Sequence, residues 1–259
     1  MQRQLRAALI QLSVGKGLSK NIAHAFKMIR EAKSKCAQLI VLPECFNSPY
    51  EAAKECDIYL VGGTIPEKVD DKIYNTCTVW DPKGEMILKY RKLHLYDVDI
   101  PGGITFKESD ILTSGNKLQT FSISDNIKIG IAVCYDLRFE ELAKLYRIMN
   151  CELIIYPGAF NMTTGPIHWE LLQRARALDN QMYIFGVSPA RSEKGYIAWG
   201  HSQVTNPWGK VIVQAGYVEE IIYCDLDFEE CSTARKQLPV FSHRRTDVYN
   251  TILVNACRD

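Results

Sequence analysis

Charge of one sign is the first thing this 259-residue chain lacks: 31 lysines and arginines face 30 acidic residues, a formal charge of +1. So even a balance projects no long-range field toward nucleic acid or an anionic membrane, and any ligand must be recognised by local contacts. Long apolar runs are missing as well. The opening stretch Leu5 to Leu12 has neither the length of a membrane span nor the flanks of a signal peptide, which sets the expectation of a cytoplasmic protein. Nine cysteines (Cys36, Cys45, Cys56, Cys77, Cys134, Cys151, Cys224, Cys231 and Cys257) include no Cys-x-x-Cys pair of the zinc or redox kind. An odd, scattered set argues for thiols that are mostly reduced and structural, with no metal site. No linker, repeat or low-complexity tract divides the chain, so one domain over residues 1–259 is expected, with 47% hydrophobic residues to fill its core.

What is present reads as alternating α and β structure. Leu5 to Leu12 and Leu39-Ile40-Val41-Leu42 are short apolar runs of the kind a strand covered on both faces carries. Between them Ile22, Ala25, Phe26, Ile29 and Ala32 fall at helical spacing, with Ser19 in place to cap. Further strands are predicted at 58–61, 75–80, 86–90, 118–123, 127–133, 153–156, 182–187, 202–205, 211–215 and 221–225, and helices at 140–150, 168–180 and 228–237. The turns Asp81-Pro82-Lys83-Gly84 and Asn206-Pro207-Trp208-Gly209 read as hairpin connections. Two packed sheets with helices outside, or a single doubly wound sheet, would both cover these runs.

Three side chains stand directly after strands. Cys134 follows Ile127 to Val133 where a strand gives way to a predicted helix, a place where free N–H groups favour a thiolate; the plainer reading is a small buried hydrophobe. Glu44 follows Leu39 to Pro43, and Lys92 lies in Tyr90-Arg91-Lys92-Leu93-His94-Leu95. Each alone reads as an ordinary loop charge. Together they supply what amide hydrolysis needs: a thiol, a base for its proton and a cation for the developing oxyanion. His94, His168, His201 and His243 keep a cysteine-histidine arrangement open.

The segments Leu42-Pro43-Glu44-Cys45-Phe46-Asn47-Ser48-Pro49-Tyr50, Tyr90 to Leu95 and Ile131-Ala132-Val133-Cys134-Tyr135-Asp136-Leu137-Arg138-Phe139 resemble, in this order, the nitrilase superfamily. The resemblance covers nearly the whole chain. It implies an α/β fold, a four-layer α-β-β-α sandwich of two mixed sheets with outer helices, and a Glu44-Lys92-Cys134 triad that needs no metal or organic cofactor. Tyr156 to Pro166 and His168 to Ala177 are similar to the omega-amidase branch, which implies a small 2-oxo acid amide as substrate: 2-oxoglutaramate or 2-oxosuccinamate, released as 2-oxoglutarate or oxaloacetate plus ammonia. A sister branch acting on deaminated glutathione shares much of this stretch, and a catalytically inactive scaffold of the same fold is the rival outside the enzymes. A homodimer is also implied, and a mitochondrial pool reached without a recognisable presequence would be compatible with it.

The resemblance assigns further residues. Glu108, otherwise a loop acid, matches a glutamate that positions the lysine and the substrate amide. Tyr135 would lend its backbone N–H to the oxyanion. Arg138, four residues past Cys134, would share a face with it if a helix starts at once and pair a substrate carboxylate, the alternative being an ion pair with Asp136, Glu140 or Glu141. Phe160 would wall the pocket, and Tyr50, Thr163 or Thr164 would hydrogen-bond the polar end of the substrate. Trp169, Leu171 and Leu172 are expected to pack the core. One departure stands out: between Tyr50 and Glu51 this chain is shorter than the family by about two dozen residues, which leaves a crossover barely long enough to link parallel strands. The expectation is therefore that a lid segment is skipped there and that the two Cα atoms stand far beyond the roughly 3.8 Å of a trans peptide.

Overall fold

Strands that are apolar on both faces need cover on both faces. In β1 (Gln4–Gln11), Leu5, Ala7 and Leu9 join one buried cluster while Ala8 and Ile10 join another. The structure, a computed structural model, describes residues 3–44, 51–101, 105–123, 127–193 and 195–254. After β1 come α1 (Leu18–Ser34), β2 (Leu39–Val41), α2 (Glu51–Cys56), β3 (Tyr59–Val69), β4 (Lys72–Trp80) and β5 (Met86–Arg91). A separate two-stranded sheet, β6 (Asp97–Asp99) with β7 (Thr105–Lys107), precedes β8 (Thr120–Ile123), β9 (Ile127–Ile131), α3 (Glu140–Ile148), β10 (Leu153–Pro157) and α4 (Glu170–Asn180). The last elements are β11 (Tyr183–Val187), β12 (Gln203–Thr205), β13 (Val211–Gln214), β14 (Glu220–Asp227) and α5 (Glu229–Gln237).

Two six-stranded mixed sheets result, ordered β14-β1-β2-β3-β4-β5 and β13-β12-β11-β10-β9-β8. Each has three parallel strands at its centre, β1-β2-β3 and β9-β10-β11, with antiparallel strands outside them. Leu9, Val41, Val61 and Tyr90 of the first sheet share a core with Ile129, Ile155 and Phe185 of the second, so the sheets face each other. Ala25, Ile29 and Ala32 of α1 and Ala52 and Ala53 of α2 cover the outer face of the first sheet, and α3 and α4 lie against the second. This is the four-layer α-β-β-α sandwich, and the single doubly wound sheet is set aside.

Four local expectations change. Helix α1 begins at Leu18 with Gly17 at its N-cap and no side-chain cap, so Ser19 falls inside the first turn. The entry loop is held instead by Asn21, whose side chain accepts from Gly15 N (3.0 Å) and donates to Gly15 O (2.7 Å). Strand β3 runs eight residues past Val61, through Pro66. Its partner β2 stops at Val61, so Pro66 has β4 on one side only and its missing N–H costs no ladder bond. After Cys134 comes a single 3-10 turn, Cys134–Arg138, and α3 starts only at Glu140. Leu171 is exposed rather than packed; Trp169 is buried as expected and Leu172 packs in part.

The order of strands decides where chemistry can sit. β5 is antiparallel to β4, which is antiparallel to β3, so β2, β3 and β5 end on one side. Glu44 lies just past β2, Lys92 just past β5, Cys134 just past β9 and Ala159 just past β10. The ends of parallel strands are where α/β folds gather ligands.

Candidate active site

Cys134 takes φ = +45°, a left-handed conformation that is uncommon for a side chain larger than glycine's. The turn is enforced by Asp136, fully buried, whose Oδ2 accepts from Val133 N at 2.9 Å. Next to it, Gly158 leaves room: a Cβ there would stand 3.1 Å from Cys134 Cα and 3.2 Å from the Trp169 ring. On the other sheet, Gly63 at φ +69° lets the Pro43 carbonyl approach to where a side chain would sit, which fixes the chain just before Glu44.

Glu44 is 3% exposed and both its oxygens are engaged. Oε1 accepts from Asn75 Nδ2 at 2.9 Å and lies 3.6 Å from Lys92 Nζ, while Oε2 accepts from Ala159 N at 2.9 Å. Lys92, 1% exposed, donates to Glu108 Oε1 (2.9 Å) and Oε2 (2.8 Å). Glu108 is anchored in turn by Tyr96 N at 2.8 Å. Burial alone would lower the Lys92 pKa, but the Glu44 and Glu108 carboxylates push it above the ordinary lysine value, so the ammonium persists. The Cys134 thiol is pushed well above its usual range, by burial first and then by the Glu44 charge and hydrogen bond, against the pull of Lys92. The resting sulfur is therefore a neutral thiol beside the Glu44 carboxylate. With α3 beginning six residues later, a helix terminus gives it no help.

These groups border a cavity of about 780 Å³ lined by Glu44, Glu108 and Cys134 on the reactive side and by Tyr135, Phe160 and Tyr196 among its walls. Lys92 stands behind that lining. Arg138 lines it too, although 3-10 geometry does not stack residues four apart; its Nη1 donates to His168 Nδ1 at 3.1 Å and its guanidinium lies 4.9 Å from the Phe160 ring. Among the described residues no carboxylate pairs with Arg138, because Asp136 is saturated by other donors and Glu140 and Glu141 face solvent. Burial and Arg138 hold His168 below the usual histidine pKa, keeping it a neutral acceptor. Phe160 is buried against Trp169, with ring centres 4.9 Å apart. Thr164 lines the cavity, its hydroxyl donating to Asn161 Oδ1 at 3.2 Å. Thr163 does not: it is exposed and only its backbone N–H serves the Asn161 turn. Tyr50, and with it the junction to Glu51, lies outside the described residues.

The histidines take other roles. His94 Nδ1 pairs with Asp136 at 2.7 Å, His168 holds Arg138, His201 lies 4.4 Å from the Trp199 ring and His243 is exposed. Among the described residues no group of three or more His, Cys, Asp or Glu could hold a metal ion. Sequence reading missed Asn75, Ala159 N–H, Tyr96 and Asn161. Asn75 alone carried a signal, a polar residue at the head of an apolar strand; the others are ordinary until distant loops meet. Residues 6–236 match the carbon-nitrogen hydrolase family. The chain belongs to that family. It is 49% identical to omega-amidase NIT2 of Bos taurus and to that of Homo sapiens, each match covering 94% of this chain and 96% of the relative. Among solved structures, Saccharomyces cerevisiae Nit3, a member of branch 10 of the nitrilase superfamily, is 39% identical with a TM-score of 0.86, covering 94% of this chain and 97% of that one. The Bos taurus alignment spans 266 positions while using 94% of a 259-residue chain, so the relative carries residues that this carbon-nitrogen hydrolase lacks.

Proposed function

We propose that this chain is an omega-amidase that hydrolyses the terminal amide of 2-oxoglutaramate and 2-oxosuccinamate to the 2-oxo acid and ammonia. The observation that carries the reading is the buried Glu44-Lys92-Cys134 cluster opening on a cavity whose Arg138 has no acidic partner among the described residues. The omega-amidase relatives, at 49% identity, support it. Arg138 would take the substrate carboxylate, a guanidinium being suited to bidentate pairing with a planar anion. Phe160 would wall the cavity.

The steps follow from the geometry. Glu44 takes the Cys134 proton as the sulfur attacks the amide carbon, since the resting thiol is too weak an acid to ionise alone. Lys92, held charged by Glu44 and Glu108, and the Tyr135 N–H stabilise the oxyanion. The tetrahedral adduct collapses to a thioester, the C–N bond breaks, and the leaving nitrogen takes the proton from Glu44 to depart as ammonia. Water, deprotonated by Glu44, then attacks the thioester and the sulfur regains its proton. No step calls for a cofactor. We also assign the protein to the cytoplasm and to a homodimer, readings that cell fractionation and mass in solution test.

The direct experiment is ammonia release from 2-oxoglutaramate by the wild type and by Cys134→Ala, with deaminated glutathione in parallel. Turnover of the first compound, abolished in the variant, is the expected result. Preference for the second would move the chain to the sister branch, and release from neither would leave a scaffold.

A further inference from the structure

Asp136 is fully buried, two residues beyond the nucleophile, and the mechanism above gives it no part. Its carboxylate nevertheless receives four donors from two separate parts of the chain. Oδ2 accepts from Val133 N at 2.9 Å and from Tyr90 OH at 2.7 Å. Oδ1 accepts from His94 N at 3.0 Å and from His94 Nδ1 at 2.7 Å. A carboxylate has about four lone-pair sites, and here all are used. Val133 immediately precedes Cys134 on one sheet; Tyr90 and His94 lie two residues either side of Lys92 on the other. The carboxylate therefore joins the backbone that aims the sulfur to the backbone that aims the ammonium.

We propose that Asp136 is a positioning residue that sets the register between Cys134 and Lys92 across the two sheets, acting through the Val133 and His94 amides and never touching substrate. The inference rests on the reading of Cys134 and Lys92 as the reacting pair. Glu44 also spans the sheets, accepting from Ala159 N at 2.9 Å, but it reaches Lys92 only at 3.6 Å, beyond hydrogen-bond length, and the close partner of Lys92, Glu108, belongs to a different loop. The Cys134 backbone is held in a left-handed conformation that relaxes if the Val133 bond is lost. His94 is further fixed by stacking on Phe139, ring centres 3.6 Å apart, which ties the Lys92 loop to the far end of the same turn.

Asparagine is close to Asp136 in shape, but it cannot reproduce the pattern. Its NH₂ must replace one oxygen, and whichever it replaces, a backbone N–H, Val133 or His94, faces a donor instead of an acceptor. Asp136→Asn is expected to lower kcat on 2-oxoglutaramate about a hundredfold with KM within about threefold, the pattern of misplaced reacting groups rather than lost binding. Hydrogen exchange on the same variant should show faster exchange in both segments, 92–96 and 132–138, with the outer helices unchanged. Asp136→Glu should not rescue, its longer stem displacing both amides. Tyr90→Phe, which removes one donor and leaves the cavity filled, serves should Asp136→Asn not fold, and is expected to lose about tenfold in kcat at unchanged KM.

A merely structural Asp136 predicts something else: a lower melting temperature with kcat per folded molecule intact. That result, or exchange that rises in 132–138 alone, overturns the proposal. A wild type that releases no ammonia, or a Cys134→Ala variant that still does, instead overturns the reading of the site, and the paired exchange signature then decides on Asp136 independently of turnover.

Discussion

Single atoms decide the reactive end of this molecule. Gly158 is a case where one absent Cβ matters, since the atom it would add meets the Cα of Cys134 at 3.1 Å and a buried indole at 3.2 Å, neither able to swing away. Gly158→Ala should cost about 1–3 kcal/mol of stability and lower kcat roughly a hundredfold, read by denaturant unfolding and by steady-state kinetics. Arg138 offers a prediction of the opposite kind. Arg138→Ala should raise KM for 2-oxoglutaramate about 10–100-fold, the loss of one charge-assisted pair, and leave turnover of a neutral aliphatic amide within about threefold. Equal damage to both substrates would show that the guanidinium holds the fold through Phe160 and His168 instead.

At the level of strands, Glu67 organises the long hairpin that leads to Lys92. It sits on β3, accepts from Thr76 of β4 at 2.8 Å, and pairs with Lys89 (2.7 Å) and Arg91 (2.9 Å) of β5. The Arg91 hydrogen bonds, over the opposing effect of burial, bring its pKa down to about 2 from an ordinary 4.5. A depressed folded-state pKa means stabilisation present in full above about pH 4.5 and lost as pH falls toward 2, because the unfolded chain binds the proton first. With Glu67 half-buried and its partner Lys89 largely exposed, solvent screening trims this to about 1–2 kcal/mol at neutral pH. Glu67→Gln should therefore lower the melting temperature at pH 7, and the gap to wild type should close between pH 4.5 and 2. A gap that stays constant with pH would show that the network contributes by shape and not by charge.

Across the whole molecule, Ile167, Leu171 and Leu178 are large apolar side chains left at the surface in and beside α4, 62%, 62% and 49% exposed. The homodimer proposed above would have reason to use them, and Leu171→Glu with Leu178→Glu should then shift the solution mass by light scattering from about twice 29.5 kDa to the single-chain value. A mass that both forms share would remove α4 from the contact.

Local order announced the strands and the residues at their ends well. The two-faced apolar runs 5–12 and 39–42 became parallel strands in a buried sheet, the Asp81 and Asn206 turns closed hairpins as read, and Glu44, Lys92 and Cys134 each stand at a strand end because strand and reactive residue are contiguous in sequence. The choice between one sheet and two, the 3-10 turn after Cys134, the withdrawal of Thr163 from the cavity, and the roles of Asn75, Ala159 N–H and Asp136 came only with the tertiary structure. The reason is physical: propensity and periodicity act over a few neighbouring residues, whereas a buried carboxylate that gathers donors from positions 90, 94 and 133 is defined by chain segments some forty residues apart, which nothing short of packing brings within 3 Å.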